Sequence, residues 1–181
     1  MTNETNVIEV RIEHVRDLFS SLDPSPFGSR DLNEEAEEHI VGWAKELPSA
    51  TPIKITVRLP EDQVREAKKI ALGDAISHYF RDRARKYDRD LSEHFTHGWW
   101  YLGIGLPLLA VCLLASQFVS TVLGEGSVSR ILRESLIIVG WVANWKPIET
   151  FLYGWLPIVR TRNLYRRLAN ARVVIVPSST S

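Results

Sequence analysis

The 181 residues carry 22 basic and 22 acidic side chains, so the formal net charge is zero, and the mean hydropathy is -0.09. That balance argues against nucleic-acid binding, which depends on a basic excess to neutralise phosphates. The lone cysteine, Cys112, excludes an intramolecular disulfide and implies no oxidising compartment. The averages conceal two unlike halves, because residues 1–97 hold 19 of the 22 acids and 14 of the 22 basic residues.

The opening segment, MTNETNVIEVRIEHV, has neither a basic start nor an apolar run, so no signal peptide is expected. Residues 7–15 alternate apolar and polar through Val7, Ile8, Val10 and Ile12, the period of a half-buried strand. A loop with Pro24, Pro26 and Gly28 follows. Asp31 and Glu34 then have the spacing of a capping box, in which each side chain satisfies a backbone N–H that a helix start leaves free. Ala36, Ile40, Trp43, Ala44 and Leu47 fall on one face of the helix so started.

Residues 51–59 alternate again through Ile53, Ile55 and Val57 and predict a second strand. Pro60, Glu61 and Asp62 suit the first turn of the next helix. From 61 to 97 there is no proline and only Gly73, and Val64, Ala67, Ala71, Ala75 and Tyr79 form an apolar stripe continued by Tyr87, Leu91 and Phe95. Unbroken, this is a rod of roughly 54 Å at 1.5 Å per residue. A break near 88–90 fits the sequence equally well.

Residues 98–123 contain no formal charge and are long enough for a bilayer core, which takes about 20 apolar residues. A second apolar stretch covers about 134–157. Arg81, Arg83, Arg85, Lys86 and Arg89 precede the first stretch, and Arg160, Arg162, Arg166, Arg167 and Arg172 follow the second. The connection offers only Arg130 and Arg133. Basic residues favour the cytoplasmic side, so both termini are expected inside. Trp99, Trp100, Tyr101, Tyr153 and Trp155 suit that same interface. Residues 171–177 predict a third strand that can join the first two.

The expected fold is thus an α+β membrane protein: a transmembrane helical hairpin over 98–159 with a small cytoplasmic α/β domain formed from both termini. Residues 1–97 supply the domain and its long helix, and 160–181 a basic helix and the last strand.

The stretch RESLIIVGWVANWKPIETFLYGWLPIVRTRNLYRRLANARVVIV, over 133–176, and the earlier LFSSLDPSPF, over 18–27, carry a recognisable pattern. They resemble a family of small prokaryotic two-span inner-membrane proteins to which no activity is attached. The resemblance implies an inner-membrane location and supplies no cofactor, substrate or site residue.

Within that block Lys146 and Glu149 flank Pro147, about 15 Å inside the proposed cytoplasmic end of the second span. A charge at that depth costs at least about 2.5–3.5 kcal/mol on insertion scales, so such groups are usually paired or line a polar path. The pair suits a proton or ion relay, with Glu149 titrating, or a structural pair on one helix. In a third arrangement the span ends near Trp145 and a lipid-facing stripe of Pro147, Ile148, Phe151, Leu152, Trp155 and Leu156 lies along the interface. Pro147 is expected to kink the helix. Gly98, Gly103 and Gly105 permit close helix approach but lack the four-residue spacing of a helix-dimer motif.

His94 and His97, with Asp90 and Glu93 nearby and His78 a helix face away, lack an obvious third nitrogen or sulfur ligand, so no metal or cofactor is expected. No nucleophile-elbow, zincin, P-loop or dinucleotide-binding pattern occurs. Glu34, Glu35, Glu37 and Glu38 read as a helix start and solvated face, and Asp23 to Phe27 as a rigid turn planting Phe27. Arg160, Arg162, Arg166 and Arg167 are expected to attract anionic headgroups, at about 1 kcal/mol each, or to bind the acidic region 1–40. The functional expectation is a membrane-anchored, non-enzymatic interaction or regulatory subunit that self-associates or joins another membrane protein. A homo-oligomeric ion pathway using Lys146 and Glu149 is the alternative.

Overall fold

The computed structural model describes residues 6–21, 30–48, 51–124 and 126–178, so the expected turn at 23–27 lies outside the described residues. The chain is mostly helical, with a small three-stranded parallel sheet and one long apolar helix. It divides into two units, Met1–Asp88 with Arg160–Ser181, and Arg89–Val159.

In the first unit the sheet order is β1 (Val7–Arg11), β2 (Lys54–Leu59), β3 (Arg172–Pro177), all parallel. The two ends of the chain therefore meet in one sheet, with Ile8, Ile55 and Val173 in one cross-strand row and Val10, Val57 and Ile175 in another. The period-2 pattern explains which face is inside. Ile8, Val10, Ile53, Ile55, Val57 and Leu59 are buried, while Glu9 and Arg58 pair at 3.0 Å on the other face. β1 stops at Arg11, short of residue 15, because Val15–Leu18 turns into a short 3-10 segment whose entry is fixed by Asp17 accepting from the His14 backbone N–H.

Helix α1 (Glu34–Glu46) begins after Asn33, not at Asp31. The backbone of Asp31 and Leu32 is held extended against Leu18 to Ser20: Ser20 N–H donates to the Asp31 carbonyl at 2.8 Å and Asn33 N–H to that of Leu18 at 2.9 Å. That pairing delays the helix past the capping box read from the sequence. Ile40, Val41 and Ala44 are its buried face, and Trp43, expected inward, lies at the stripe's edge and is 52% exposed.

The helix expected from residue 61 is two helices. α2 (Glu61–Lys69) ends where Ile70 and Ala71 N–H fold back onto the carbonyls of Glu66 and Lys68. Ala71 takes a left-handed conformation, φ 51°, before α3 (Leu72–Leu123) starts. α3 then runs without interruption through 88–90. Among the described residues it is the one helix long and apolar enough to cross a membrane.

In the second unit, the part of α3 after Asp88 packs antiparallel against a returning arm. The turn uses Gly124 at φ 67°. The stretch expected as one span over 134–157 is segmented: α4 (Ser127–Ala143), α5 (Trp145–Glu149), a π segment (Thr150–Gly154) and the start of α6 (Leu156–Ala169). Close approach is read from the glycines. A methyl group at Gly140 would lie 2.8 Å from Leu109 Cδ1 and 3.2 Å from Cys112 Cβ, and one at Gly105 2.8 Å from Asn144 Oδ1. Gly98 abuts Thr150 and Phe151, while Gly103 faces open space.

Two outcomes test this framework. Ala71→Gly should stabilise the chain by about 1 kcal/mol, because a β-carbon is strained at positive φ, measured as a higher denaturation midpoint with unchanged helix content. Gly140→Val should destabilise the chain by about 1–3 kcal/mol, because its β-carbon alone would lie 2.8 Å from Leu109 Cδ1 and 3.2 Å from Cys112 Cβ. An unchanged denaturation midpoint would refute the close packing of the two arms.

Candidate functional site

Three side-chain arrangements carry the polar chemistry, and each lies within one unit. The first centres on Glu37. Its Oε2 accepts from Tyr79 OH at 2.6 Å and from Arg83 at 3.1 Å, and its Oε1 accepts from Tyr165 OH at 2.7 Å. Arg83 Nε also donates to the Tyr79 oxygen at 2.8 Å. One carboxylate on α1 thereby ties α3 and α6 together. Burial raises the pKa of both phenols, and the hydrogen bonds to Glu37 raise them further, because ionisation would set a phenolate beside a carboxylate. They stay protonated donors at neutral pH. The arrangement leaves no uncommitted base, so it reads chemically as a clasp. The sequence pattern had placed Glu37 in a solvated acid cluster, and only the partners 42 and 128 positions away reveal otherwise.

The second arrangement is the arginine-rich helix α6. Arg166 donates to both Asp88 oxygens at 3.0 and 2.9 Å, and Arg162 reaches Asp88 Oδ1 at 3.4 Å. Arg167 donates to the carbonyls of Pro48 at 2.7 Å and Thr51 at 3.3 Å. Arg160 is exposed and makes no such bond among the described residues. The four arginines are thus not equivalent, and the acid that holds two of them is Asp88 on α3, not a residue of the acidic region 1–40.

The third lies in the second unit. Lys146 Nζ donates to Glu149 Oε2 at 3.1 Å, and the two side chains are 62% and 50% exposed. Beside them the covered polar groups all have partners. Asn144, buried between the arms, donates to the carbonyls of Gly105 at 3.0 Å and Gly140 at 3.0 Å. Thr150 Oγ1 donates to the Lys146 carbonyl at 2.8 Å. His94 Nε2 sits 3.2 Å from the Thr150 carbonyl, which requires the proton on that nitrogen, and only a glycine at 154 leaves room for the ring. Asn144 is the residue the sequence reading missed, its one signal being an amide inside an apolar run.

The stripe proposed to face lipid is split. Pro147 is buried, and Phe151 packs against Phe95 and Trp99, whereas Leu152 is 54% exposed. His94 and His97 do not converge, since His97 Nδ1 turns to the Glu93 carbonyl at 2.7 Å. Among the described residues no group of three or more His, Cys, Asp or Glu side chains is placed to hold a metal ion. No protein family, curated protein or solved structure matches the chain.

The phenols give a pH test. Below the ordinary tyrosine value of 10 they are protonated in the folded and the unfolded chain alike. Above it the unfolded chain loses those protons first, so stability should fall as pH rises. Tyr79→Phe with Tyr165→Phe should flatten the fall in denaturation midpoints taken between neutral pH and pH 11. Glu37→Gln removes the charge facing Arg83 and should cost about 1–3 kcal/mol at neutral pH.

Proposed function

We propose that the chain is a two-span inner-membrane protein with both termini in the cytoplasm, whose α/β unit serves as a membrane-anchored, non-enzymatic interaction or regulatory module. The observation that carries this reading is the pairing of β2 with β3. Strands on opposite sides of a bilayer cannot share a sheet, so the number of crossings between them must be even. If α3 crosses, residues 127–159 must cross back.

The surface of the second unit supports the same topology. Leu114 and Phe118 on one arm, and Ile131, Val139, Trp141 and Val142 on the other, are each more than half exposed. So large an apolar surface on both arms demands lipid or another protein. The basic segments on either side of 98–159, against only Arg130 and Arg133 between the spans, agree with cytoplasmic ends.

A second reading has one observation in its favour. Lys146 and Glu149 are uncovered charges within an apolar stretch, and lipid is a poor neighbour for them. Self-association that encloses the pair, as in a homo-oligomeric pathway, removes that cost.

Topology is tested in a Cys112→Ser background with single cysteines at Ser127 and Ser178. An impermeant maleimide should label residue 127 in intact cells and residue 178 only after permeabilisation; equal labelling of both rejects two spans. The mass of the protein in lipid nanodiscs separates the roles. A stoichiometric second protein supports the subunit. A symmetric homo-oligomer whose pH-dependent ion flux is lost in Glu149→Gln supports the pathway.

A further inference from the structure

The four arginines of α6 divide into two sets, and the division marks a binding site. Arg162 and Arg166 share the single carboxylate of Asp88, which holds both guanidinium groups toward it and offsets one of their two charges. Arg160 and Arg167 instead line a cleft of about 580 Å³ with Lys45, Ala44, Leu47, Thr161, Asn163 and Leu164, and no carboxylate lines it. Lys45 and Arg160 have no hydrogen-bond or ion-pair partner among the described residues. Arg167 spends donors on the Pro48 and Thr51 carbonyls, yet no acid compensates its charge. Asn163 has its amide oxygen occupied by Arg162 at 3.3 and 3.2 Å, which leaves its N–H groups as donors.

We propose that this cleft binds the phosphate of an anionic phospholipid. Three cations and a spare amide donor match the oxygens of a phosphate ester, for which charge-assisted hydrogen bonds are the strong recognition element. Leu47 and Leu164 supply apolar surface that a free phosphate has no use for and that the glycerol and first acyl carbons of a lipid can cover. Chain order agrees, since Arg160 directly follows Val159, the last residue of the apolar unit. The choice of a lipid over a free phosphate rests on the two-span reading; the anion-binding chemistry of the cleft does not.

The test uses the full chain in a neutral detergent, titrated with dioctanoyl phosphatidylglycerol and, separately, with inorganic phosphate, bound ligand being counted by native mass spectrometry. One phosphatidylglycerol should bind, and the Lys45→Ala, Arg160→Ala pair should weaken it roughly 30-fold, at about 1 kcal/mol per cation. Arg160→Lys should keep most of the affinity, and Arg166→Ala should leave it unchanged, which guards against a folding artefact. Absence of binding by the wild type, or equal weakening by Arg166→Ala, overturns the site. Phosphate binding as tightly as the lipid overturns the phospholipid assignment. Carbonate extraction of membranes, run alongside, separates the two readings. A chain that washes off yet binds phosphatidylglycerol at the cleft refutes the spans and keeps the site, whereas a chain that stays embedded without binding refutes the site alone.

Discussion

The parallel pairing of β2 with β3 is the constraint on which the molecule depends. Parallel neighbours cannot be joined by a tight turn, because the chain must travel back to begin the second strand at the same end as the first. Here the return journey is everything from Pro60 to Ala171, including the whole apolar unit. The sheet is short, with strands of five and six residues, so it needs additional ties. Glu37 provides one, joining α1 to α3 and α6, and Asp88 provides another by holding Arg162 and Arg166. The polar links thus gather at the point where the returning chain rejoins the domain it left.

The second unit solves a different problem with similar means. Its arms approach closely at glycines, where small residues let backbones meet, the usual device where hydrophobic driving force between helices is weak. Asn144 and His94 then satisfy backbone carbonyls by side-chain donors. An amide whose donors are all used is inexpensive to bury, whereas an unpaired one is not. The π segment with its carbonyl facing His94 is a local widening of the helix that this side chain accommodates.

Much of this was legible from residue order. The first two strands announced themselves by period-2 alternation and the third by the short apolar run at residues 173–176, whose otherwise unexplained apolarity suggested that it joins them. The break at Ala71 was not legible, because alanine is the best helix former and nothing local marks it as a left-handed turn. The cap at Asp31 failed for a tertiary reason, since its backbone pairs with Leu18 to Ser20. For the site the limits were sharper. Lys146 and Glu149 stand out in any apolar run, but whether they face a partner or open space is a property of packing. Glu37 and Asp88 were hidden among surface acids, and their importance lies in partners distant in sequence.

The place of β3 beyond the apolar unit also has a consequence for biosynthesis. β3 leaves the ribosome after the whole of that unit, so until then β2 keeps one side of its ladder open and Val57 and Ile55 lack their outer neighbours. The domain therefore cannot reach its final form while the apolar hairpin is still being made. The sheet of the first unit is completed only by a strand that follows the second unit in the chain, so its folding is coupled in order to the synthesis of the apolar residues between.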